Sequence, residues 1–250
     1  MALGMLQYSV ESGKINGLEG DVALGCGVSR FESRRVDTEF GYTDECRAWA
    51  ERWQRVIDEE TPNIAQLVTG SWEITDAKLP GASEYSSIGD PAVDAFIKSE
   101  LTQAVDILGA RGAMVLLVLW PRSSDFLIAQ ASPAERAKLD PARMERLHEI
   151  MREIAAERPD SVRILDLQSM LGDRLDDAAL RPDGVHIPAE QVNLLYQGVL
   201  GVETQRIWEE FWREKVAQLT TDVSSPDGNG DGGATSDEAS SAESGDGGNG

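Results

Sequence analysis

The chain of 250 residues suits one domain of ordinary size with an appendage, and 41% of its residues are hydrophobic, enough to bury a sizeable core. Its 44 acidic against 23 basic side chains, a net charge of −21, argue against nucleic acid as a partner, because phosphate backbones are bound by Lys and Arg. No stretch has the length and apolarity of a membrane-spanning helix, and no basic region followed by an apolar run opens the chain.

In chain order, Leu3 to Val10 reads as a helix and Gly20 to Leu24 as a short strand that ends in Gly25-Cys26-Gly27. Asp44 to Ile57 is predicted helical, with Cys46, Trp49, Trp53, Val56 and Ile57 on one face. Asn63 to Thr69 is a predicted strand running into Gly70-Ser71-Trp72-Glu73, and Pro91 to Leu108 a helix. Ala113 to Trp120 is an almost continuous apolar run, as expected of a strand covered on both faces. Pro133 to Ala156 is helical with an interruption near Asp140-Pro141, Ser161 to Leu167 is a strand, and Pro188 to Leu219 is a terminal helical region. From Asp222 onward the chain is mainly Gly, Ser, Asp, Asn, Ala and Glu, with almost no large apolar side chain. Its seven acids and no Lys or Arg supply a third of the net charge. Such a segment cannot offset its ordering entropy, so residues 222–250 are expected to be a disordered acidic tail behind a domain of residues 1–221.

Strands alternating with helices of this length imply an α/β fold, a parallel sheet wrapped on both faces. Ligands in such sheets collect beyond the carboxyl ends of the strands. Gly25-Cys26-Gly27, Gly70-Ser71-Trp72 and Trp120-Pro121-Arg122 lie at predicted strand ends and should converge on one rim with the loop Arg181-Pro182-Asp183-Gly184-Val185-His186. That loop places a carboxylate three residues before one of only two histidines. An imidazole serves as a general base when an acid fixes its tautomer and stabilises the imidazolium. The competing reading is a Pro-Asp-Gly turn whose Asp caps a helix near Pro188 and whose His is a surface residue.

The remaining candidates are weaker. Cys26 and Cys46 would close a loop worth roughly 3 kcal/mol as a disulfide in an oxidising compartment, or remain two buried thiols. Two Cys and two His spread this widely match no metal-ligand spacing, and no Gly-rich phosphate loop opens a helix, so neither a metal nor a cofactor is expected. Ser71 stands at a strand end but outside any G-x-S-x-G elbow and reads as a solvated or capping hydroxyl. His148, beside Met144, Leu147 and Met151, reads as a border residue between core and solvent. Glu73 and Asp76 are either an acid/base pair or strand-end acids facing water; Trp72 and Trp120 are either a sugar platform or core. Trp208, Phe211 and Trp212 follow helical spacing and read as core or a docking face.

Together these residues resemble an SGNH-type esterase/acyltransferase domain, of the variety fused behind a membrane acyltransferase-3 domain in bacteria that O-acylate cell-surface glycans. The likeness rests on Leu24-Gly25-Cys26-Gly27-Val28, on Cys46 followed by Trp49, and on Thr69-Gly70-Ser71-Trp72-Glu73. It rests further on Arg143 to Glu153 and, most specifically, on Leu180 to Ile187 (LRPDGVHI), and covers about residues 1–200. It implies a three-layer α/β/α fold of SGNH or flavodoxin-like type with a parallel sheet, and an acyl-ester or glycan substrate. Location at the extracytoplasmic face of the membrane and a neighbouring acyltransferase-3 domain are implied as well. His186 would be the base and Asp183 its orienting acid. The Gly27 amide, with Gly25 as the near alternative, would serve the oxyanion. Gly70, Ser71 and Trp72 would line the pocket, and Cys26 and Cys46 would be bridged. The family's opening Gly-Asp-Ser block, which carries the nucleophile, occurs nowhere in this sequence, and no Asn stands within Gly70-Ser71-Trp72-Glu73 where the family places an oxyanion donor. The expectation is a domain lacking its first, central strand and its serine, inactive as it stands, with that block upstream in a longer membrane-anchored protein. The alternatives are a truncated paralogue or a non-catalytic glycan- or protein-binding domain using the same rim.

Overall fold

Met114–Leu119 is the axis of the fold: all six side chains are buried, because the strand is central in its sheet and covered on both faces. The computed structural model describes residues 17–21, 25–35 and 38–224. In chain order the elements are β1 (Ser33–Arg35), β2 (Glu39–Gly41), α1 (Asp44–Arg47), α2 (Trp49–Glu60), β3 (Ile64–Thr69), β4 (Asp76–Lys78) and α3 (Pro91–Leu108). There follow β5 (Met114–Leu119), α4 (Asp125–Gln130), α5 (Pro133–Lys138), α6 (Pro141–Glu157), β6 (Val162–Leu165), α7 (Leu167–Leu171), α8 (Ala189–Leu195) and α9 (Gly201–Ser224). The helix predicted at Leu3 to Val10, residues 22–24 of the strand predicted at Gly20 to Leu24, and residues 225–250 of the tail lie outside the described residues, while residues 222–224, expected in the tail, continue α9.

Strands β3, β5 and β6 form a parallel sheet in that order, with Ile64 opposite Met114 and Val115 opposite Val162. On one face Val115, Leu117 and Leu119 pack against Ile97, Leu101 and Val105 of α3 and Leu147, Ile150 and Ile154 of α6. On the other, Met114, Leu116 and Val118 meet Leu167 of α7, Val192 and Leu195 of α8, and Ile207 and Phe211 of α9. This is the mixed α/β, three-layer arrangement expected from the alternation of strands and helices. Each such side chain contributes about 1.5–3 kcal/mol relative to exposure, so β5, with all six side chains buried, is firmly anchored.

Helix boundaries follow their caps. Asp90 and Asp140 each accept a bond from the amide two residues on, ahead of Pro91 and Pro141, at 2.9 Å in both cases. Ser132 and Glu135 close a reciprocal capping box over α5. The interruption predicted near Asp140-Pro141 is therefore a C-terminus of α5 followed by a fresh start.

Three sequence expectations are corrected. The helix expected over Asp44 to Ile57 is divided at Ala48, whose backbone leaves the helical region at φ −81°, ψ 9°. The terminal helical region is divided too, by a π-turn over Tyr196–Leu200 in which Gly198 is non-helical. His148 is not a border residue: it is fully buried in the α6 face. The small antiparallel sheet β2-β1-β4, with Arg34 opposite Phe40 and Ala77, was not expected at all. Strands of three residues rich in charge carry no periodicity to read.

Candidate active site

In the loop Leu180 to Ile187, Leu180, Arg181 and Ile187 are buried while Asp183 and His186 are exposed. The apolar ends pin the loop to the core and leave the polar pair outside. Arg181 N and Leu180 N both bond to Asp177 O, and Gly184 N bonds back to Arg181 O at 2.9 Å, which closes the turn. Gly184 has φ +77°, and a Cβ there would stand 2.2 Å from Ser124 Oγ, so only glycine fits. Asp183 Oδ1 accepts from the amides of Val185 (2.9 Å) and His186 (2.7 Å), and Oδ2 accepts from the His186 ring at Nδ1, 2.6 Å away. Partial burial pushes the Asp183 pKa up, but the bonds from the His186 ring and the two amides outweigh it and bring it down to about 2. Asp183 is thus ionised, Nδ1 carries the proton, and Nε2 is left as the basic nitrogen. Asp183 does not cap the helix that starts after Pro188, which has no side-chain cap; its carboxylate caps its own turn at the Val185 and His186 amides and orients the imidazole.

The loop sits at the carboxyl end of β5. Ser124 N donates to Gly184 O (2.9 Å), and Arg181 Nη2 donates to Arg122 O (2.7 Å). His148 Nε2 donates to Trp120 O at 2.9 Å, holding the start of the same segment; burial lowers the His148 pKa, against the pull of that bond, so the ring is neutral. Trp120 is buried, and its ring lies where a Cβ on Gly70 would be 3.3 Å from Cδ1, which brings the post-β3 turn beside the post-β5 segment.

The second half of the rim is built around two buried ions. Glu73, fully buried, accepts from Val28 N (2.5 Å), Ser29 N (3.2 Å) and Thr69 Oγ1 (2.9 Å). It is neither a strand-end acid facing water nor half of a pair with Asp76, which instead bridges Arg35 and Arg143. Arg34, 2% exposed, stacks over Tyr42 (4.5 Å) and Trp72 (5.1 Å) and donates to Gly25 O and Trp72 O. Burial lowers its pKa, countered by Tyr42 and Glu73, and a guanidinium keeps its proton regardless. Burial, then the Glu73 charge, raises the Tyr42 pKa, so its hydroxyl is a donor, and it donates to Gly27 O. A Cβ on Gly27 would meet Glu73 Oε1 at 2.5 Å. The peptides flanking Gly27 are therefore locked from beneath, and among the described residues the Gly27 N–H has no acceptor.

Cys26 and Cys46 form a disulfide with Cα atoms 5.2 Å apart, tying this turn to α1. Trp72 is half-buried, edge-on to Phe40. Ser71 is half-buried, and no hydrogen bond or ion pair holds it among the described residues. Contacts thus run from Gly25–Gly27 through Glu73 and Arg34 to Gly70–Trp72, then through Trp120 and Arg122 to Arg181 and the Asp183–His186 pair. No hydrogen bond joins His186 directly to Gly27, Gly70, Ser71 or Trp72 among the described residues, and no hydroxyl or thiol there pairs with its Nε2. No group of three His, Cys, Asp or Glu is placed to hold a metal among those residues. Sequence reasoning missed Arg34, Glu73 and Tyr42 as supports of the turn. Arg181 carried a signal in its place inside LRPDGVHI, and Glu73 one in its place inside Thr69-Gly70-Ser71-Trp72-Glu73.

Neither a family model nor a curated protein sequence matches the chain.

Proposed function

We propose that this rim is the general-base half of a serine esterase or O-acyltransferase site of SGNH type, acting on acyl esters of cell-surface glycans. The observation that carries the reading is the 2.6 Å Nδ1–Oδ2 bond in a pair whose imidazole is otherwise 79% exposed. A serine hydroxyl gives its proton to His186 Nε2 as its oxygen bonds to the ester carbonyl carbon, while Asp183 stabilises the imidazolium. The oxyanion is met by the fixed Gly27 amide. Collapse breaks the ester C–O bond, and the departing alcohol takes the proton from Nε2. Water or a sugar hydroxyl then attacks the acyl-enzyme with Nε2 again as base. Trp72, and the aromatic surface beside it, suits a sugar ring. The Cys26–Cys46 disulfide favours an oxidising, extracytoplasmic compartment, and an acyltransferase-3 membrane domain is the partner this reading calls for.

The test is labelling of the protein as the cell makes it with a fluorophosphonate, alongside hydrolysis of an aryl acetate and acetyl transfer to a glycan. The expected result is one labelled serine, with labelling and turnover both lost in His186→Ala. Retention of a glycan with no label and no turnover would replace this reading by a binding domain.

A further inference from the structure

Arg181 is fully buried, yet no carboxylate lies within hydrogen-bonding distance of its guanidinium among the described residues. Its donors go instead to three main-chain carbonyls on three separate segments. Nη1 donates to Leu175 O (2.8 Å) after α7, and Nη2 to Arg122 O (2.7 Å) after β5 and to Val185 O (3.3 Å) inside the Asp183–His186 loop. Nε has no partner. Asp176 and Asp183 lie close enough to favour its charge, and Arg122 opposes it. A buried guanidinium arranged this way is a poor choice for stability alone, since an apolar side chain of similar volume would fill the space without the desolvation cost. What it does achieve is geometric: a planar fork with fixed donor directions can hold three carbonyls in one register. Val185 is the residue between Asp183 and His186 whose amide Asp183 also caps, so fixing its carbonyl fixes the peptide on which the imidazole is mounted.

We propose that Arg181 is a positioning residue for the base pair, clamping the Val185 peptide to the segments after β5 and α7 so that His186 Nδ1 stays on Asp183. The clamp is a statement about geometry; its catalytic consequence rests on the esterase reading above. The backbone bond from Ser124 N to Gly184 O acts in parallel from the α4 side.

The test combines a carboxyl titration with kinetics in Arg181→Gln and Arg181→Lys. In the parent protein the Asp183 carboxyl, assigned by its loss in Asp183→Asn, should titrate with a midpoint of about 2. In Arg181→Gln the midpoint should rise by about one pH unit towards the ordinary value, because the ring bond is no longer held. Arg181→Lys, a point charge that cannot serve three carbonyls, should fall between the two. In the protein as the cell makes it, with the serine the esterase reading requires, aryl-acetate turnover should drop in kcat by about tenfold or more in Arg181→Gln with KM little changed, and recover partly in Arg181→Lys. An unmoved Asp183 midpoint in folded Arg181→Gln would overturn the clamp, as would failure of both variants to fold, since a group the fold itself requires is no positioning device. If Asp183→Asn and His186→Ala leave hydrolysis untouched, the esterase reading fails instead, and the carboxyl midpoint still decides for or against Arg181.

Discussion

At the scale of single residues, the rim is governed by ions whose partners are mainly peptide groups. Asp183 accepts two amides and one imidazole N–H, and Glu73 two amides and one hydroxyl. A carboxylate so placed works only as an acceptor, so an amide in its place turns one oxygen into a donor facing another donor. Glu73→Gln is expected to cost about 1–3 kcal/mol of unfolding free energy, measured in urea, because a buried donor is left unpaired. Asp183→Asn should cost less stability than Glu73→Gln, since that side chain is largely exposed. In the protein as the cell makes it, the same change should lower aryl-acetate kcat by on the order of a thousandfold or more by presenting the wrong tautomer. Both residues stood in view in the sequence, but only one showed its role. Asp183 sits in a turn with its partner three residues away, whereas the two amides that bond Glu73 lie 44 and 45 residues earlier in the chain.

At the scale of elements, the turn at Gly25–Gly27 is held by cross-links rather than by regular structure. The disulfide to α1, the Tyr42 hydroxyl on Gly27 O and the Trp49 indole on Val28 O (2.8 Å) all arrive from the segment Tyr42 to Trp49. Replacing Cys26 and Cys46 by Ser should cost roughly 3 kcal/mol, the chain-entropy value for a loop of this size. The loss should appear in denaturant melts and be reproduced by reducing the parent protein. The helices α3, α5 and α6 were legible because their starts are written locally, in Asp-Pro and Ser-Pro steps. Strands β1, β2 and β4 were not, because each is only three residues long and owes its existence to pairing with the others. Helix α6 shows both limits at once: its span followed from sequence, while the complete burial of His148, with its ring on the Trp120 carbonyl just past β5, did not.

At the scale of the whole molecule, two titrations shape stability against pH. His148 is held neutral by burial, below its ordinary value of 6.5, so the unfolded chain binds its proton more readily. Stability from this group is complete above about 6.5 and declines as pH falls beneath it. Asp183 works lower down: its folded value of about 2 lies beneath the ordinary 3.8, so its contribution is present above the ordinary value and lost as pH falls from there towards 2. Thermal unfolding followed from pH 8 to pH 3 should therefore show a first decline beginning near neutrality. That decline should be absent in His148→Gln, which leaves the acid-side loss in place. The α/β architecture itself was readable from the alternation of apolar runs and helical spacings, and no described helix is long and apolar enough to cross a membrane.

The sequence by itself determined the central strand, the capped helices and the pairing of Asp183 with His186. Each of these is encoded by neighbours a few residues apart, through apolar continuity, a cap or a turn. Only the tertiary structure decided that Glu73, Arg34 and Arg181 lie beneath the rim, which chain segments they join, and that His148 belongs to the core. Their roles come from backbone groups distant in sequence, and a buried charge finds its partners only after the chain has closed around it.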